Sequence, residues 1–214
     1  MSIIDLGKQS LIYGAGHVLA RLITFLLLPL YTHTFTQEEY GALSLAYAFM
    51  GFALILYRYG MDTAMMKYSV QKQGPERKKY ITLIIVTQFI TSFLFTFIIY
   101  FTRLSTAEYV LGTYRPDWIS YLAAILFFDA LWNLPLLILR SEEKAIPYIF
   151  LSLLNVILTM ALNIMFVVYW EQGIEGVFRA NIIASASICL VSLTIVIKRV
   201  VFDFFEKDIL FKVI

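Results

Sequence analysis

Six stretches of this chain are each apolar over about 20 residues, the length that an α-helix needs to cross a bilayer. They cover roughly 9–31, 40–60, 81–102, 118–139, 146–169 and 174–197. The chain is 60% hydrophobic and only 15% charged, whereas ordinary soluble domains are roughly 45–50% apolar and about 25% charged. The sequence therefore predicts an all-α, multi-pass membrane protein, with one domain of six transmembrane helices over 1–199.

The cations are distributed unevenly among the segments that join these stretches. If the N-terminus is cytoplasmic, the segments on that side contain twelve of the 17 Lys and Arg residues: Lys8, Lys67, Lys72, Arg77, Lys78, Lys79, Arg140, Lys144, Lys198, Arg199, Lys207 and Lys212. The opposite segments contain Arg103 and Arg115. Because cytoplasmic loops carry an excess of Lys and Arg, both termini are expected in the cytoplasm.

The last fifteen residues differ in pattern from the six stretches. In residues 200–214 apolar side chains recur at helical spacing, with charged side chains between them. This pattern predicts an amphipathic helix at the membrane surface or a linker. The formal net charge of +2 gives no reason to expect a nucleic-acid partner. The bilayer is the partner that the composition indicates.

Two ionisable residues lie within the first apolar stretch. Arg21 is about 12 residues into the helix, about 18 Å at 1.5 Å per residue, and His17 is one turn before it. An arginine at the bilayer centre costs about 2.5–3.5 kcal/mol on the insertion scale, so it is expected to have a partner or to face a cavity. Pro29, later in the same stretch, is expected to bend the outer end of the helix.

The fourth stretch places a carboxylate at a similar depth. Asp129 is near the middle of the stretch, and Asn133 follows one turn later. We predict that Arg21 and Asp129 face one cavity and interact there, directly or through water or substrate. The alternative is a buried pair that only fixes the register of the helices.

The fifth stretch has a polar stripe along one face. Asn155, Thr159 and Asn163 follow the spacing i, i+4, i+8, so they lie above one another on a helix. Two interpretations remain open for this stripe: the lining of a cavity, or hydrogen bonding between helices.

No catalytic or metal-binding motif accompanies these polar residues. The sequence has no H-E-x-x-H, P-loop, G-x-S-x-G or Cys/His cluster. Polar residues at membrane depth favour a translocation pathway over a reaction centre, so we expect no enzyme, catalytic residue, metal or cofactor. Coupling to an ion or a proton remains open.

Several segments together resemble bacterial polysaccharide-biosynthesis membrane proteins, the lipid-linked oligosaccharide flippases. These belong to the superfamily that also contains the multidrug-and-toxin extrusion (MATE) transporters. The segments are GAGHVLARLITFLLLPLYTHTFTQEEYGALSLAYA from residue 14, YGMDTAMMKYS at 59–69, LRSEEKAIPY at 139–148 and GIEGVFRANIIAS at 173–185. They occur in the family's order along nearly the whole chain.

The resemblance implies an exporter in the bacterial inner membrane that works by alternating access. Its substrate would be an oligosaccharide linked to an isoprenoid diphosphate, moved from the cytoplasmic to the outer leaflet. Arg21 would contact the diphosphate or sugar, and Asp129 would modulate that charge or take part in ion coupling.

Family members normally carry twelve or more spans, so this chain resembles their N-terminal six-helix lobe. A second lobe is therefore expected, either as a C-terminal half or as a second copy. Two other functions remain open: a multidrug exporter of the same superfamily and a non-transporting membrane assembly subunit.

Overall fold

The computed structural model describes residues 3–112 and 115–201 of the 214. Within these residues the chain is helical and contains no strand. The helices are α1 (Ile3–Phe25), α2 (Leu27–Thr34), α3 (Gln37–Arg58), α4 (Met61–Gln71), α5 (Gly74–Phe101), α6 (Arg103–Thr106), α7 (Pro116–Ser141), α8 (Ala145–Asn163) and α9 (Gly173–Ile197), with π-helical segments at Ala107–Leu111 and Ile164–Tyr169.

Six stretches of the described chain are long and apolar enough to cross a membrane. They are Ile12–Thr34, Gln37–Arg58, Gly74–Phe101, Pro116–Ser141, Ala145–Tyr169 and Gly173–Ile197. The predicted all-α class and six spans are therefore confirmed. The amphipathic helix predicted over 200–214 lies outside the described residues from position 202 onward.

The first span is broken in two at Leu26, three residues before Pro29. Proline has no N–H to donate to the carbonyl four residues earlier, here that of Phe25, and its ring crowds that carbonyl. The N–H of Leu26 contacts two carbonyls at once, those of Leu22 at 3.2 Å and Ile23 at 3.1 Å. The predicted bend at the outer end of this helix is therefore present, as a break between α1 and α2.

The connection between the second and third spans contains a helix, α4, that the sequence analysis did not predict. Tyr59 and Gly60 both have a positive φ, 44° and 73°, and turn the chain from α3 into α4. Met61, Met65 and Tyr68 are buried at the spacing i, i+4, i+7 and pack with residues of α5 and α7. At 11 residues, this amphipathic segment is too short to register as a span.

The centre of the bundle is α7, which packs against α9, α5, α4, α3 and α8. Leu122 and Leu126 of α7 are fully buried, with 0% of their surface exposed. On the outer helices many large apolar side chains stay exposed, including Phe52 at 77% and Leu190 at 67%. Such continuous apolar faces are stable against lipid rather than water.

A cluster of four charged residues fastens the end of the bundle at which α3 ends and α5 begins. We call it the Glu142 cluster, and it consists of Arg77, Glu142, Lys144 and Arg199. Glu142 accepts hydrogen bonds from Arg199 Nε at 2.7 Å, Lys144 Nζ at 2.9 Å and Arg77 at 3.1 Å, and Arg199 makes a second, shorter contact. The hydrogen bonds from Arg199 lower the pKa of Glu142 to about 2, with smaller contributions from Lys144 and Arg77. The cluster joins the start of α5, the turn between α7 and α8, and the end of α9.

Gly16 allows α1 to approach α8 closely. A Cβ atom at Gly16 would lie 2.7 Å from Ile149 Cγ1, whereas a Cβ at Gly14 would meet nothing within 4 Å. We expect Gly16→Ala to destabilise the protein by about 1–3 kcal/mol through overpacking. The check is thermal unfolding of both variants in lipid nanodiscs. Gly14→Ala is the matched control and should not lower the Tm, and equal Tm values for the two would contradict the described packing.

Candidate functional site

A cavity of about 430 Å³ opens between α2, α3, α8 and α9. We call it the polar cavity. Its polar lining consists of Tyr31, Tyr40, Ser44, Tyr47, Asn155, Thr159 and Asn181, and leucine and valine side chains complete the wall. A pocket of this size is typical of small-molecule sites, which are mostly apolar with a few placed polar groups.

Helix α3 contributes a face of three polar residues to the polar cavity. Tyr40, Ser44 and Tyr47 follow the spacing i, i+4, i+7, so they project from one side of the helix. The Ser44 hydroxyl donates to the carbonyl of Tyr40 at 2.8 Å. The side-chain amide of Asn181 on α9 donates to the Tyr47 hydroxyl at 3.4 Å. The sequence analysis does not predict this face, although its i, i+4, i+7 spacing is visible in the sequence.

The polar stripe of the fifth span lies at this cavity. Asn155 and Thr159 line it. Asn163 is fully buried behind the wall, where its side-chain oxygen accepts a hydrogen bond from the Tyr31 hydroxyl at 2.8 Å. Its amide group donates to the carbonyl of Thr159 at 2.8 Å. The two interpretations of the stripe therefore apply to different members: Asn155 and Thr159 line the cavity, and Asn163 joins α8 to α2.

Asp129 lies beside the polar cavity rather than in its lining. One carboxylate oxygen accepts hydrogen bonds from Ser185 Oγ at 2.6 Å and from Trp132 Nε1 at 2.9 Å. Ser185 is one turn along α9 from Asn181, which does line the cavity. The carboxylate is therefore held between α7 and α9, one helical turn from the cavity wall.

Asn133, one turn after Asp129 on α7, is also outside the lining of the polar cavity. Its amide group donates to Asp62 on α4 at 2.8 Å, and Asp62 also pairs with Arg58 at 3.3 Å. Burial raises the pKa of the Asp62 carboxyl, whereas Arg58 and Asn133 act in the opposite direction. The sequence analysis did not anticipate that Asp62 is a partner of the fourth span.

Arg21 is exposed on α1, and it makes no hydrogen bond or ion pair with any residue that the structure describes. A direct contact between Arg21 and Asp129, one of the predicted alternatives, is therefore not present. The reason is the orientation of the helices: Asp129 faces α9, whereas α1 packs against α8. The side chain of His17 lies outside the described part of the chain.

The model of the family described as "Polysaccharide biosynthesis protein" matches residues 6–212 of the chain. The chain belongs to this family. A relative from Haemophilus influenzae, known only as an uncharacterized membrane protein, is 26% identical over 195 residues, which are 90% of this chain and 45% of the relative.

Several solved structures share the fold of this chain. An outward-facing multidrug resistance MATE family transporter of the MOP superfamily matches with a TM-score of 0.73 at 20% identity, over 99% of this chain and 50% of that one. A MOP superfamily transporter from Pyrococcus furiosus, for which the reverse polarity of the binding pocket suggests a different function, matches with a TM-score of 0.73 at 19% identity. That match covers 99% of this chain and 49% of the other.

The chain thus spans about half the length of the proteins that it matches. At these identities the structural likeness shows the fold alone. The expected fold, that of one six-helix lobe of a MATE-like protein, is confirmed for this member of the family. In this lobe the polar cavity lies between the first, second, fifth and sixth spans.

Proposed function

We propose that this protein is a flippase that moves lipid-linked oligosaccharide units from the cytoplasmic to the outer leaflet of a bacterial inner membrane. In this proposal the chain forms the N-terminal six-helix lobe, and a second lobe completes the transporter. Family and fold support a membrane transporter rather than an enzyme. The polar cavity is the observation that supports a saccharide cargo.

The polar cavity supports the proposal because of where it occurs. The surrounding helices present leucine, isoleucine and phenylalanine outward, so hydroxyl and amide groups among them need a purpose or a partner. Three tyrosines, a serine, a threonine and two asparagines surround one space of about 430 Å³. Ring faces with hydroxyl and amide groups between them match a sugar, which has C–H groups on its faces and hydroxyls around its rim.

Arg21 supports the proposal in a different way. It is exposed at membrane depth on α1, and a cation there is costly unless an anion accompanies it. An isoprenoid diphosphate is such an anion. We infer that the exposed face of α1 meets the cargo between this lobe and the second one, with Arg21 at the diphosphate. His17 is assigned to the same face by its spacing from Arg21.

The cations of the loops support the orientation of the lobe in the membrane, on which the proposed direction of transport depends. Arg77, Lys144 and Arg199 lie at one end of the bundle, with the ends of α3, α7 and α9. On the positive-inside rule this end is cytoplasmic, and Tyr40 at the start of α3, which lines the polar cavity, belongs to the outer half. Asp129 is assigned to ion or proton coupling in this proposal.

A multidrug exporter is the second candidate, and one observation favours it. Tyrosine rings with no cation among the described lining residues also suit an organic cation, because cations are attracted to aromatic faces. The fold does not separate the two candidates, since the matching structures include a multidrug transporter.

The flippase proposal is tested by deleting the gene for this protein in its host cells. We expect surface polysaccharide to be lost and lipid-linked intermediates to accumulate, with unchanged resistance to cationic drugs. Re-expression of the protein should restore the polysaccharide. Unchanged polysaccharide together with increased drug sensitivity would favour the multidrug exporter and contradict the flippase.

A further inference from the structure

We propose that the polar cavity holds an uncharged part of the cargo, namely neutral pyranose units that carry free hydroxyl groups, and that it discriminates against acidic sugars. The inference rests on the proposed function and names the class of sugar that the site accepts. It assigns the two parts of the cargo to different places. The sugar binds in the polar cavity, and the anionic diphosphate binds at Arg21 on α1.

The first argument is charge. The described residues that line the polar cavity include no Lys, Arg, His, Asp or Glu. A uronic acid carboxylate would enter a low-dielectric space without a compensating cation, which is strongly unfavourable. The carboxyl group beside the cavity is that of Asp129, one turn beyond the wall, and it offers no positive charge. A sugar without charge does not have this burial cost.

The second argument is the supply of hydrogen-bond acceptors. Asn155 Oδ1 is buried and has no partner among the described residues. The hydroxyl proton of Ser44 is already donated to the carbonyl of Tyr40, which leaves the Ser44 oxygen as an acceptor. The lining therefore has two acceptors, Asn155 Oδ1 within the wall and Ser44 Oγ, that a donating ligand would satisfy. Sugar hydroxyls donate, whereas a carboxylate only accepts.

The third argument is the donor on α3. The Tyr47 hydroxyl accepts from Asn181 and is paired with the Tyr31 hydroxyl, and a sugar hydroxyl can take the place of Tyr31 as the acceptor of the Tyr47 proton. A sugar hydroxyl both donates and accepts, and it can therefore satisfy Asn155 and Tyr47 from the same ring. The volume of about 430 Å³ corresponds to a small ligand rather than to a whole lipid-linked oligosaccharide.

The test uses a matched pair of probes that differ only at C6 of the sugar, a hydroxymethyl group in one and a carboxylate in the other. The purified protein in lipid nanodiscs carries Leu28→Cys with Cys189→Ala, so that a neutral maleimide reports access to the cavity from a lining position that offers no hydrogen bond. Octyl glucoside, octyl glucuronide and tetraphenylphosphonium are each added below any micelle-forming concentration. We expect octyl glucoside to slow labelling, and the glucuronide and the cation to leave it unchanged.

Two further variants link this protection to the named groups. Asn155→Leu removes the acceptor at similar volume, and Tyr47→Phe removes the hydroxyl but keeps the ring. Each should weaken protection by octyl glucoside two- to tenfold, since one hydrogen bond is worth about 0.5–1.5 kcal/mol. Tyr109→Phe is the control, because Tyr109 is 87% exposed and lies outside the cavity lining, and it should leave protection unchanged.

The contradicting outcomes are distinguishable. Equal or stronger protection by octyl glucuronide would overturn the neutral class of sugar and leave the flippase proposal intact. Protection by tetraphenylphosphonium alone would contradict both. If octyl glucoside failed to protect a protein that is labelled normally, the inference would be overturned, and the loss of polysaccharide on removal of the protein would still decide the flippase separately.

Discussion

Cells that carry Arg21→Ala should lose surface polysaccharide while keeping a normal amount of the protein in the membrane. Arg21 is exposed and has no partner among the described residues, so its removal should not disturb the packing of the lobe. If it binds the diphosphate, however, a charge contact at membrane depth is lost. Loss of such a contact costs about 2–5 kcal/mol, which corresponds to a decrease of at least roughly 30-fold in export.

Two further variants separate this role from a general effect of charge. Arg21→Lys keeps the cation but loses the two-pronged geometry that suits phosphate, so it should retain part of the export. Arg103→Ala is the matched control, since the Arg103 side chain donates to the carbonyl of Tyr100 and lies over the Tyr100 ring, away from the polar cavity lining, and export should be unchanged. Normal polysaccharide with normal levels of Arg21→Ala protein would instead support an assembly subunit that does not transport.

The largest expected effect on stability is that of Glu142→Gln. Glu142 is the one carboxylate bound by Arg77, Lys144 and Arg199 in the Glu142 cluster. Replacing it by the neutral amide leaves these cations without a counter-charge. We expect a loss of about 2–3 kcal/mol, less than for a fully buried pair because 14% of the Glu142 side chain is exposed. The Tm in nanodiscs should fall by roughly 5–10 °C.

The pH dependence provides a second readout of the same cluster. The pKa of Glu142 is lowered from 4.5 to about 2 in the folded protein. A carboxylate with a lowered pKa stabilises the folded state fully above its unfolded value, and the contribution is lost as the pH falls through the folded value. The Tm difference between wild type and Glu142→Gln should therefore be constant at neutral pH and shrink in acid below the unfolded pKa.

Glu143→Gln is the control for this prediction. Glu143 is the neighbouring, exposed glutamate, and no ion pair of the described residues involves it. The same chemical change at that position should leave the Tm within about 1 °C of the wild type. A Glu142→Gln Tm equal to that of Glu143→Gln would contradict the role of the cluster in holding α5, α7 and α9 together.

The spans could be predicted from the sequence because apolar length alone decides whether a helix is stable in lipid. The starts of the helices were predicted less accurately than the apolar spans. Helix α5 begins at Gly74 rather than at 81 because the helix continues through the polar segment before its apolar part. Helix α4 was missed for a related reason, since its buried face becomes visible only when α5 and α7 pack against it.

The candidate site was predicted in part. The i, i+4 spacing put Asn155 and Thr159 on one face of α8, and both line the polar cavity. The depths of Arg21 and Asp129 could be estimated from sequence position, but the direction of a side chain around its helix depends on which neighbour that helix packs against. Tyr47 was missed because tyrosines in membrane proteins are usually assigned to the interface.

Flipping itself can be measured by the leaflet in which the lipid-linked saccharide lies. Spheroplasts of the host are treated from outside with an oxidant that does not cross the membrane, and the fraction of lipid-linked saccharide that is modified is compared with and without the protein. We predict that the saccharide is modified in cells with the protein, and that it is still made but protected in cells without it. Equal modification in both would show that the protein does not move the saccharide across the membrane.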